Sequence, residues 1–367
     1  MSSEPPRLAG TGINHQNYKS LRSEITLPAQ VPPHQFDALS SRGGVSLSRR
    51  RLEWLWKDSR WTDLLITVKR HGKLVGVLPC SFPRIPTWPD QEYNVGNLIA
   101  GQDCAPASAC LLGGRCDARA SMLFDPAVPD RQRRLVAACA VETGANFAES
   151  AFRRCAALYV SAEETELSAA LRASRMTPHP APPRCVIRWP APTVDSYLDS
   201  LKASHRQVVR RDWRLRSALG LQTTMVGWHE SVDDAAPMIC DVLIKHGRES
   251  HPRLVSMRLN RLGRILGKDG FALRSSAGDK ALGYAFGWYE RDKVTMYEIG
   301  VRPGPAPLHR CSYYDLLVHA PVAAACARGI TTLDLGLFAV TPKRLRGAVP
   351  ELMQHWTSRL EKGDAHR

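Results

Sequence analysis

The amino-acid sequence predicts an α+β protein of two lobes, each with a mixed β-sheet flanked by helices. Three observations support this fold class. The 367 residues are enough for two domains of roughly 100–200 residues each. Four of the seven residues 177–183 are proline, which breaks regular structure between the two halves. Each half runs from strands through a helix to another strand. No sequence repeat is visible, so a duplicated fold is inferred from this order alone.

The first half opens with two apolar segments that predict neighbouring β-strands. These strands are joined by a tight turn at His71–Gly72. A helix is expected later, where Leu135, Val136 and Cys139 share one side. The predicted strands are 64–70, 73–84 and 156–160, and the predicted helices are 130–143 and 164–174.

The second half repeats this order. A strand at 185–189 precedes a long amphipathic helix at 194–219, which Gly220 ends. An antiparallel β-meander then follows two further helices. The remaining predicted helices are 233–246, 255–266 and 311–327, and the remaining strands are 271–275, 281–290, 293–301 and 331–335.

These patterns divide the chain into four parts. Residues 1–30 are rich in proline, serine and polar residues, and we expect a flexible N-terminal arm there. A first lobe is predicted at 31–176 and a second lobe at 184–350. Residues 351–367 are expected to form a C-terminal tail.

The composition excludes several classes of protein. Hydrophobic residues make up 44% and charged residues 23%, which excludes disorder over most of the chain. No apolar window is long enough for a transmembrane helix, so we expect no membrane insertion. The first ten residues lack the apolar region of a secretion signal, and the ten cysteines are scattered. We therefore expect a cytoplasmic protein with reduced thiols and no metal site.

Basic residues outnumber acidic residues by 50 to 35, a net charge of +15. Most of the surplus lies outside the first 50 residues, and one segment, 200–220, concentrates it around a single acid, Asp212. Charge on the folded body indicates an anionic partner: RNA, a phosphorylated cofactor or a membrane surface. The basic residues that we expect to bind it are Lys202, Arg206, Arg210, Arg211 and Arg214, together with Arg344 and Arg346, which form a second cluster with Lys343. A solvated helix face, with some arginines paired to local acids, is the alternative for the first group.

Three segments of the second half carry a resemblance to a known family. They are LKASHRQVVRRDWRLRSALGL at 201–221, ALGYAFGWYERDKVTMYEIG at 281–300 and SYYDLLVHAPVAAACARGITTLDLG at 312–336, followed by Lys343. A basic helix, a β-meander, a helix, a strand ending at an Asp and a lysine loop occur in this order. The order resembles the Fem-type aminoacyltransferases of the GNAT superfamily. The strand sequence LVGVLP of the first half is also similar, so the resemblance covers about residues 35–350.

The resemblance implies two tandem GNAT-like lobes that move an acyl or aminoacyl group from an activated carrier to an amine. The family's loop lysine corresponds to Lys343, which would neutralise negative charge on the carbonyl or leaving oxygen, with an ordinary surface lysine as the alternative. Asp334 would fix the end of the strand before that loop or hold Lys343.

Acyl transfer to an amine needs aligned substrates and a route for one proton. Glu298, on the central strand, is the predicted base, although a salt bridge to a neighbouring arginine is an alternative role. Tyr313 and Tyr314 are predicted donors to the departing oxygen, with ordinary helix packing as the alternative. His309 and His319 are further candidates.

The donor is predicted from a departure from the family pattern. Enzymes of this superfamily that use CoA carry a glycine-rich turn for its pyrophosphate, whereas this chain has PAPLHRCSYY there. Together with the positive charge on the folded part of the chain, this favours aminoacyl-tRNA as the donor. A long polyanion binds more tightly to positive charge that is spread over a surface, because counterions are released from its phosphates. Acyl-CoA remains an alternative, as does a non-catalytic RNA- or anion-binding protein.

The acceptor is predicted from a second departure. The sequence lacks the heptads of the helical arm that Fem-type cell-wall ligases insert, which favours a small-molecule amine, as in natural-product biosynthesis. No tightly bound cofactor is expected, and no Walker loop or Rossmann fingerprint is found.

Overall fold

A computed structural model describes residues 20–39, 44–99, 104–151, 153–248 and 250–358. These residues form two compact units. The first unit extends to Ala181 and resumes at Leu352, and the second comprises Pro182–Glu351.

The elements of the first unit follow the predicted alternation of strands and helices. In chain order they are β1 (Leu21–Thr26), α1 (Pro33–Asp37), α2 (Arg49–Leu55), β2 (Trp61–Arg70), β3 (Lys73–Pro83), α3 (Val95–Leu98), β4 (Ala109–Leu112), β5 (Leu123–Phe124), α4 (Asp130–Ser150), β6 (Arg154–Ser161) and α5 (Thr165–Ala173). Strand β7 (Thr177–Arg188) carries the chain into the second unit.

The second unit has more helix around its strands. Its further elements are α6 (Val194–Ser200), α7 (Ala203–Ala218), β8 (Leu221–Val226), α8 (Trp228–Lys245), α9 (Pro252–Leu266), β9 (Gly270–Ala277), β10 (Lys280–Tyr289), β11 (Val294–Val301), α10 (Ala306–Tyr314), α11 (Ala320–Cys326), β12 (Thr332–Asp334) and α12 (Val340–Arg344). A π-helical turn, Asp315–His319, joins α10 to α11. Strand β13 (Val349–Thr357) returns the chain to the first unit.

The two units share one strand topology. The order is β1-β2-β3-β4-β6-β13 in the first and β8-β9-β10-β11-β12-β7 in the second. In each, four antiparallel strands are followed by a parallel neighbour and then by an antiparallel sixth strand. The predicted fold of two mixed-sheet lobes is therefore confirmed, and the duplication that no sequence repeat revealed is visible in the strand order.

Each unit has its own apolar core. In the first, α4 and α5 bury their apolar sides against the sheet, where Ile66, Leu112 and Trp356 are fully enclosed. In the second, α6, α10 and α11 contribute to a core around Leu316 and Leu333. Burial of this kind supplies most of the free energy that holds helices on sheets.

Three segments expected to be irregular take part in the sheets. The proline-rich connector forms most of β7, because proline and the residue before it both favour extended backbone. The end of the expected arm is β1, paired with β2, while residues 1–19 lie outside the described part. The start of the expected tail is β13, which buries Met353 and Trp356 beside β6, while residues 359–367 lie outside that part.

The predicted long helix at 194–219 is two helices. Leu201 and Lys202 have extended backbone between α6 and α7. The Arg206 side chain folds back over this break: its Nε donates to Leu198 O at 3.0 Å and its Nη2 to Leu201 O at 3.1 Å. A guanidinium can therefore satisfy carbonyls that a continuous helix would have satisfied internally.

Candidate functional site

The sheet of the second unit opens between its two parallel strands. β11 pairs with β12 only through Val294–Leu333 and Thr295–Asp334, although β11 continues to Val301. A bulge opposite Phe286 and Gly287 places Tyr297 in β11 just beyond this pairing. Ligands of open sheets bind beyond the carboxyl ends of parallel strands where the order changes. We therefore centre the candidate site on the second half of β11.

Helix α10 begins directly after this strand. The connecting residues, Arg302 to Pro305, are exposed, and α10 starts without a side-chain cap. The first amide groups of α10 carry the positive end of the helix dipole, and they lie near the end of β11. Pro303, Pro305 and Pro307 have no N–H, so this turn offers few amides to a bound phosphate.

Glu298 lies on β11 one residue past the bulge. Its Oε1 accepts a hydrogen bond from Arg258 Nη2 at 2.6 Å, and both side chains are partly buried. The guanidinium of Arg258 also lies 6.0 Å from the centre of the Tyr297 ring. The salt bridge considered as an alternative role for Glu298 is thus present.

Lys343 is buried on α12. The resemblance instead implied a lysine in a loop that contacts the substrate. The Nζ of Lys343 donates to Leu335 O at 2.7 Å and to Leu337 O at 2.8 Å, and lies 3.5 Å from Gly336 O. Burial lowers the pKa of Lys343 to about 8. These carbonyls occupy its donors, so the structure places Lys343 as an anchor of the loop that follows β12.

That loop has unusual backbone. Phe338 and Ala339 both have φ in the left-handed region, at 60° and 47°. Two such non-glycine residues in succession store strain of about 1–3 kcal/mol each, and strain of this kind concentrates at functional sites. The Lys343 ammonium holds the carbonyls just before them, which explains how the loop keeps this shape.

Asp334 lies at the end of β12, where the sequence predicts a supporting role for it. Its Oδ2 accepts from Arg184 Nη1 at 2.9 Å and its Oδ1 accepts from the Gly336 backbone N–H at 2.9 Å. The side chain is buried beside the loop that Lys343 anchors. It therefore fixes the strand end and the first turn of that loop.

Tyr313 and Tyr314 end α10 and are partly buried. Their rings meet edge to face with centroids 5.2 Å apart. Burial raises the pKa of Tyr313, which packs against the core. The Tyr314 ring lies under the guanidinium of Arg346, 3.2 Å from its centre. Both contacts agree with the packing role considered as an alternative.

A buried charged cluster that the sequence did not predict lies behind these rings. Arg346 donates through Nε to Asp212 Oδ2 at 2.9 Å, and its Nη2 lies 2.6 Å from the same oxygen. His319 Nε2, from the π-helical turn, is 3.4 Å from that oxygen. Burial raises the pKa of Asp212, but the hydrogen bond from His319 and the charge of Arg346 outweigh it and lower that pKa. The signal in the sequence was the lone acid of a basic helix, three residues from the buried Val209.

The predicted donor-binding residues divide into two groups. Arg206 donates to a backbone carbonyl of α6 and Arg346 donates to Asp212. The prediction that these two residues bind the donor is therefore wrong. The others project into solvent, and within the described residues they have no acidic partner. These exposed residues are Lys202, Arg210, Arg211 and Arg214 on and before α7, and Arg344 on α12. We call Arg210, Arg211 and Arg214 the α7 arginine row, because they lie on one side of the helix.

Neither a metal site nor a membrane-spanning helix is found in the part of the chain that the structure describes. No group of three or more His, Cys, Asp or Glu side chains there is arranged to hold a metal ion. None of the helices in the same ranges has the length and apolar character needed to span a bilayer.

Comparisons with known proteins agree with this geometry. Residues 203–342, which contain α7, the meander and the anchored loop, match the acetyltransferase (GNAT) domain family. No curated protein matches the chain in sequence. Solved structures therefore provide the remaining comparisons.

Three solved structures share the fold at low sequence identity. The FemX crystal structure is 11% identical, with a TM-score of 0.59 over 92% of this chain and 97% of that one. A tandem GNAT protein from the clavulanic acid biosynthesis pathway, solved without AcCoA, is 12% identical, with a TM-score of 0.52 over 94% and 100%. L-PGS from Bacillus licheniformis is 6% identical, with a TM-score of 0.50 over 79% and 82%.

The domain match and the fold point in the same direction. Residues 203–342 match the acetyltransferase (GNAT) domain family, and the described chain shares its fold with FemX and with a tandem GNAT protein. The second unit contains the matched domain, and so the candidate site described above.

Proposed function

We propose that the second unit transfers an aminoacyl group from aminoacyl-tRNA to the amine of a small molecule. The observation that carries this proposal is the α7 arginine row, which is exposed and unpaired within the described residues. A row of arginines with no local acids suits a phosphate backbone, because each guanidinium offers a fork of donors and releases counterions on binding.

The turn before α10 supports tRNA over CoA. Tight binding of a CoA pyrophosphate at a helix N-terminus depends on several convergent backbone amides. Three prolines remove amides from residues 303–307, and Gly304 is the one glycine in that stretch. A donor held through distributed phosphates on α7 does not need this cradle.

The proposed chemistry is a single displacement. The acceptor amine attacks the ester carbonyl carbon, the new C–N bond forms, and the C–O bond to the tRNA ribose breaks. The amine loses one proton and the departing ribose oxygen gains one. Glu298 is our candidate for taking that proton, and the hydroxyl of Tyr313 or Tyr314 is our candidate for supplying the other. Lys343 contributes indirectly, by holding the loop after β12.

Acyl-CoA is the second candidate donor, and a specific observation favours it. The family that matches residues 203–342 is an acetyltransferase domain. The acceptor would still be an amine, so the two proposals differ in the donor. Since charged tRNA is a cytoplasmic substrate, the first proposal also implies a cytoplasmic enzyme.

The deciding experiment supplies the purified protein and a panel of amines with either charged tRNA or acyl-CoA. Products are detected by mass spectrometry, with and without ribonuclease. We expect products from charged tRNA that ribonuclease abolishes. Ribonuclease-resistant products from acyl-CoA alone would refute the tRNA proposal and support the second candidate.

Matched variants connect that result to the structure. Arg210→Glu with Arg214→Glu should lower product formation from charged tRNA at limiting donor concentration. Arg253→Glu with Arg264→Glu, which makes the same charge change on α9, should leave it unchanged. Equal effects of the two pairs would show that net charge alone, and not the α7 arginine row, controls donor use.

A further inference from the structure

A second basic surface lies on the exposed side of α9, the helix whose Arg258 pairs with Glu298. Residues 244–268 contain seven basic side chains and one acidic side chain. Helix α9 itself contains four arginines and no acid. This surplus is as concentrated as that of α7, and the proposed function does not account for it.

The inner side of α9 fixes which residues face outward. Val255, Leu259, Leu262 and Leu266 are buried against the second unit. At 100° per residue, Arg253, Leu254, Met257 and Arg264 then fall within a sector of about 100° on the opposite side. We call these four residues the α9 outer face.

The α9 outer face combines charge with exposed apolar groups. Leu254 is 61% exposed and Met257 is 68% exposed, while Arg253 and Arg264 also project into solvent. Within the described residues, neither of these two arginines has an acidic partner. Two large apolar side chains between cations, on a helix about 22 Å long, form a strip that is unlike the surface of α7, where no large apolar side chain is exposed.

The composition of this strip selects its partner. RNA would satisfy the arginines, but it would leave Leu254 and Met257 in water beside phosphates. An anionic bilayer satisfies both components, because lipid phosphates pair with arginine while apolar side chains enter the interfacial region. The strip follows one side of a helix and needs no pocket in its partner. It therefore suits a membrane surface, which is flat and offers no pocket.

We infer that the α9 outer face docks the protein on the surface of an anionic phospholipid bilayer. The contact is peripheral: Arg253 and Arg264 meet lipid phosphates, and Leu254 and Met257 enter the headgroup boundary. The inference does not depend on which donor the acyl-transfer site uses.

The test measures co-sedimentation of the full-length protein with vesicles. One set contains phosphatidylglycerol and phosphatidylcholine in equal amounts, and the other contains phosphatidylcholine alone. We expect binding to the anionic vesicles that weakens as salt rises, and little binding to the neutral ones. Absence of binding to anionic vesicles at physiological salt would overturn the inference.

Two α9 variants separate the components of the contact. Arg253→Glu with Arg264→Glu should weaken vesicle binding at least about tenfold, because each basic residue near an anionic surface contributes appreciably. Leu254→Ser with Met257→Ser should weaken it as well and make the remaining binding more salt-sensitive. All four side chains are exposed, so we expect unchanged unfolding temperatures.

Arg210→Glu with Arg214→Glu, the same charge change on α7, serves as the control and should retain most vesicle binding. An equal loss in this control would overturn the inference by showing nonspecific attraction. Vesicle binding that is unaffected by the serine pair would also overturn it, since it would leave the apolar side chains without a role. Loss of tRNA binding in the α9 charge variant, with vesicle binding intact, would identify the face as an RNA surface instead.

Discussion

Arg346 and Asp212 form a buried ion pair in which Nε and Nη2 both approach one carboxylate oxygen, at 2.9 and 2.6 Å. The pair joins the segment after α12 to the inner side of α7. Asp212 is the only acid of α7, and it points inward while the α7 arginine row points outward. The pair therefore sets the rotation of α7 about its axis, and so determines which side of that helix carries the exposed charge.

Removing one partner of this pair should destabilise the second unit strongly. Arg346→Ala removes the guanidinium that balances the charge of the buried Asp212 carboxylate, which costs about 3–5 kcal/mol of unfolding free energy. Arg344→Ala, two residues away and exposed, should change it by less than about 0.5 kcal/mol. Urea denaturation monitored by circular dichroism measures both. Similar losses in the two variants would contradict the role given to the pair.

The buried Lys343 should make stability depend on pH in alkaline solution. Burial lowers its pKa from the ordinary 10.5 to about 8. Between these values the unfolded chain binds a proton that the folded chain has lost, so stability rises with pH. The rise attributable to this group is at most about 3 kcal/mol. The difference in unfolding free energy between wild type and Lys343→Met, measured from pH 7 to 10.5, should show it, and a flat difference would contradict it.

Gly300 should not tolerate a side chain. A Cβ there would lie 2.6 Å from the backbone N of Ile239 and 2.7 Å from the carbonyl carbon of Met238, on α8. Gly300→Ala must therefore push α8 away from β11, and we expect a loss of about 1–3 kcal/mol. Gly304→Ala is the control, because the nearest atom is 4.0 Å away. Thermal unfolding of the two variants measures the difference. Equal melting temperatures for Gly300→Ala and Gly304→Ala would contradict this prediction, because they would show that α8 can shift without loss of stability.

Glu298 can be tested as a base by separating its charge from its ion pair. Glu298→Gln removes the carboxylate, and we expect kcat to fall by about a hundredfold or more, as for loss of a general base. Arg258→Gln breaks the same ion pair but leaves the carboxylate, so most activity should remain. If both variants lose activity equally, while their melting temperatures fall together, Glu298 has a structural role only.

The sequence predicted the fold to the level of two mixed-sheet lobes because strands and helices leave periodic patterns. The meander at 270–301 and the helix stop at Gly220 are examples. Proline misled the prediction at β7, where extended backbone satisfies both proline and a sheet.

The candidate site was harder to predict, because residue type does not reveal which way a long side chain turns. Arg206 and Arg210 are equivalent in the sequence pattern, yet one caps α6 while the other is exposed. Arg346 was expected in solvent and is buried on Asp212. Only tertiary packing distinguishes such residues, since the same guanidinium can bind carbonyls, carboxylates or phosphates.

The central claim is that the α7 arginine row binds a polyanionic donor, and the salt dependence of tRNA binding tests it most directly. Dissociation constants for charged tRNA would be measured across a salt series for wild type, for Arg210→Ala with Arg211→Ala and Arg214→Ala, and for Arg206→Ala. The account predicts a steep dependence for wild type and a slope reduced by about one for each row arginine that contacts a phosphate. Arg206→Ala should keep the wild-type slope while losing stability. An unchanged affinity and slope in the triple variant would contradict the account.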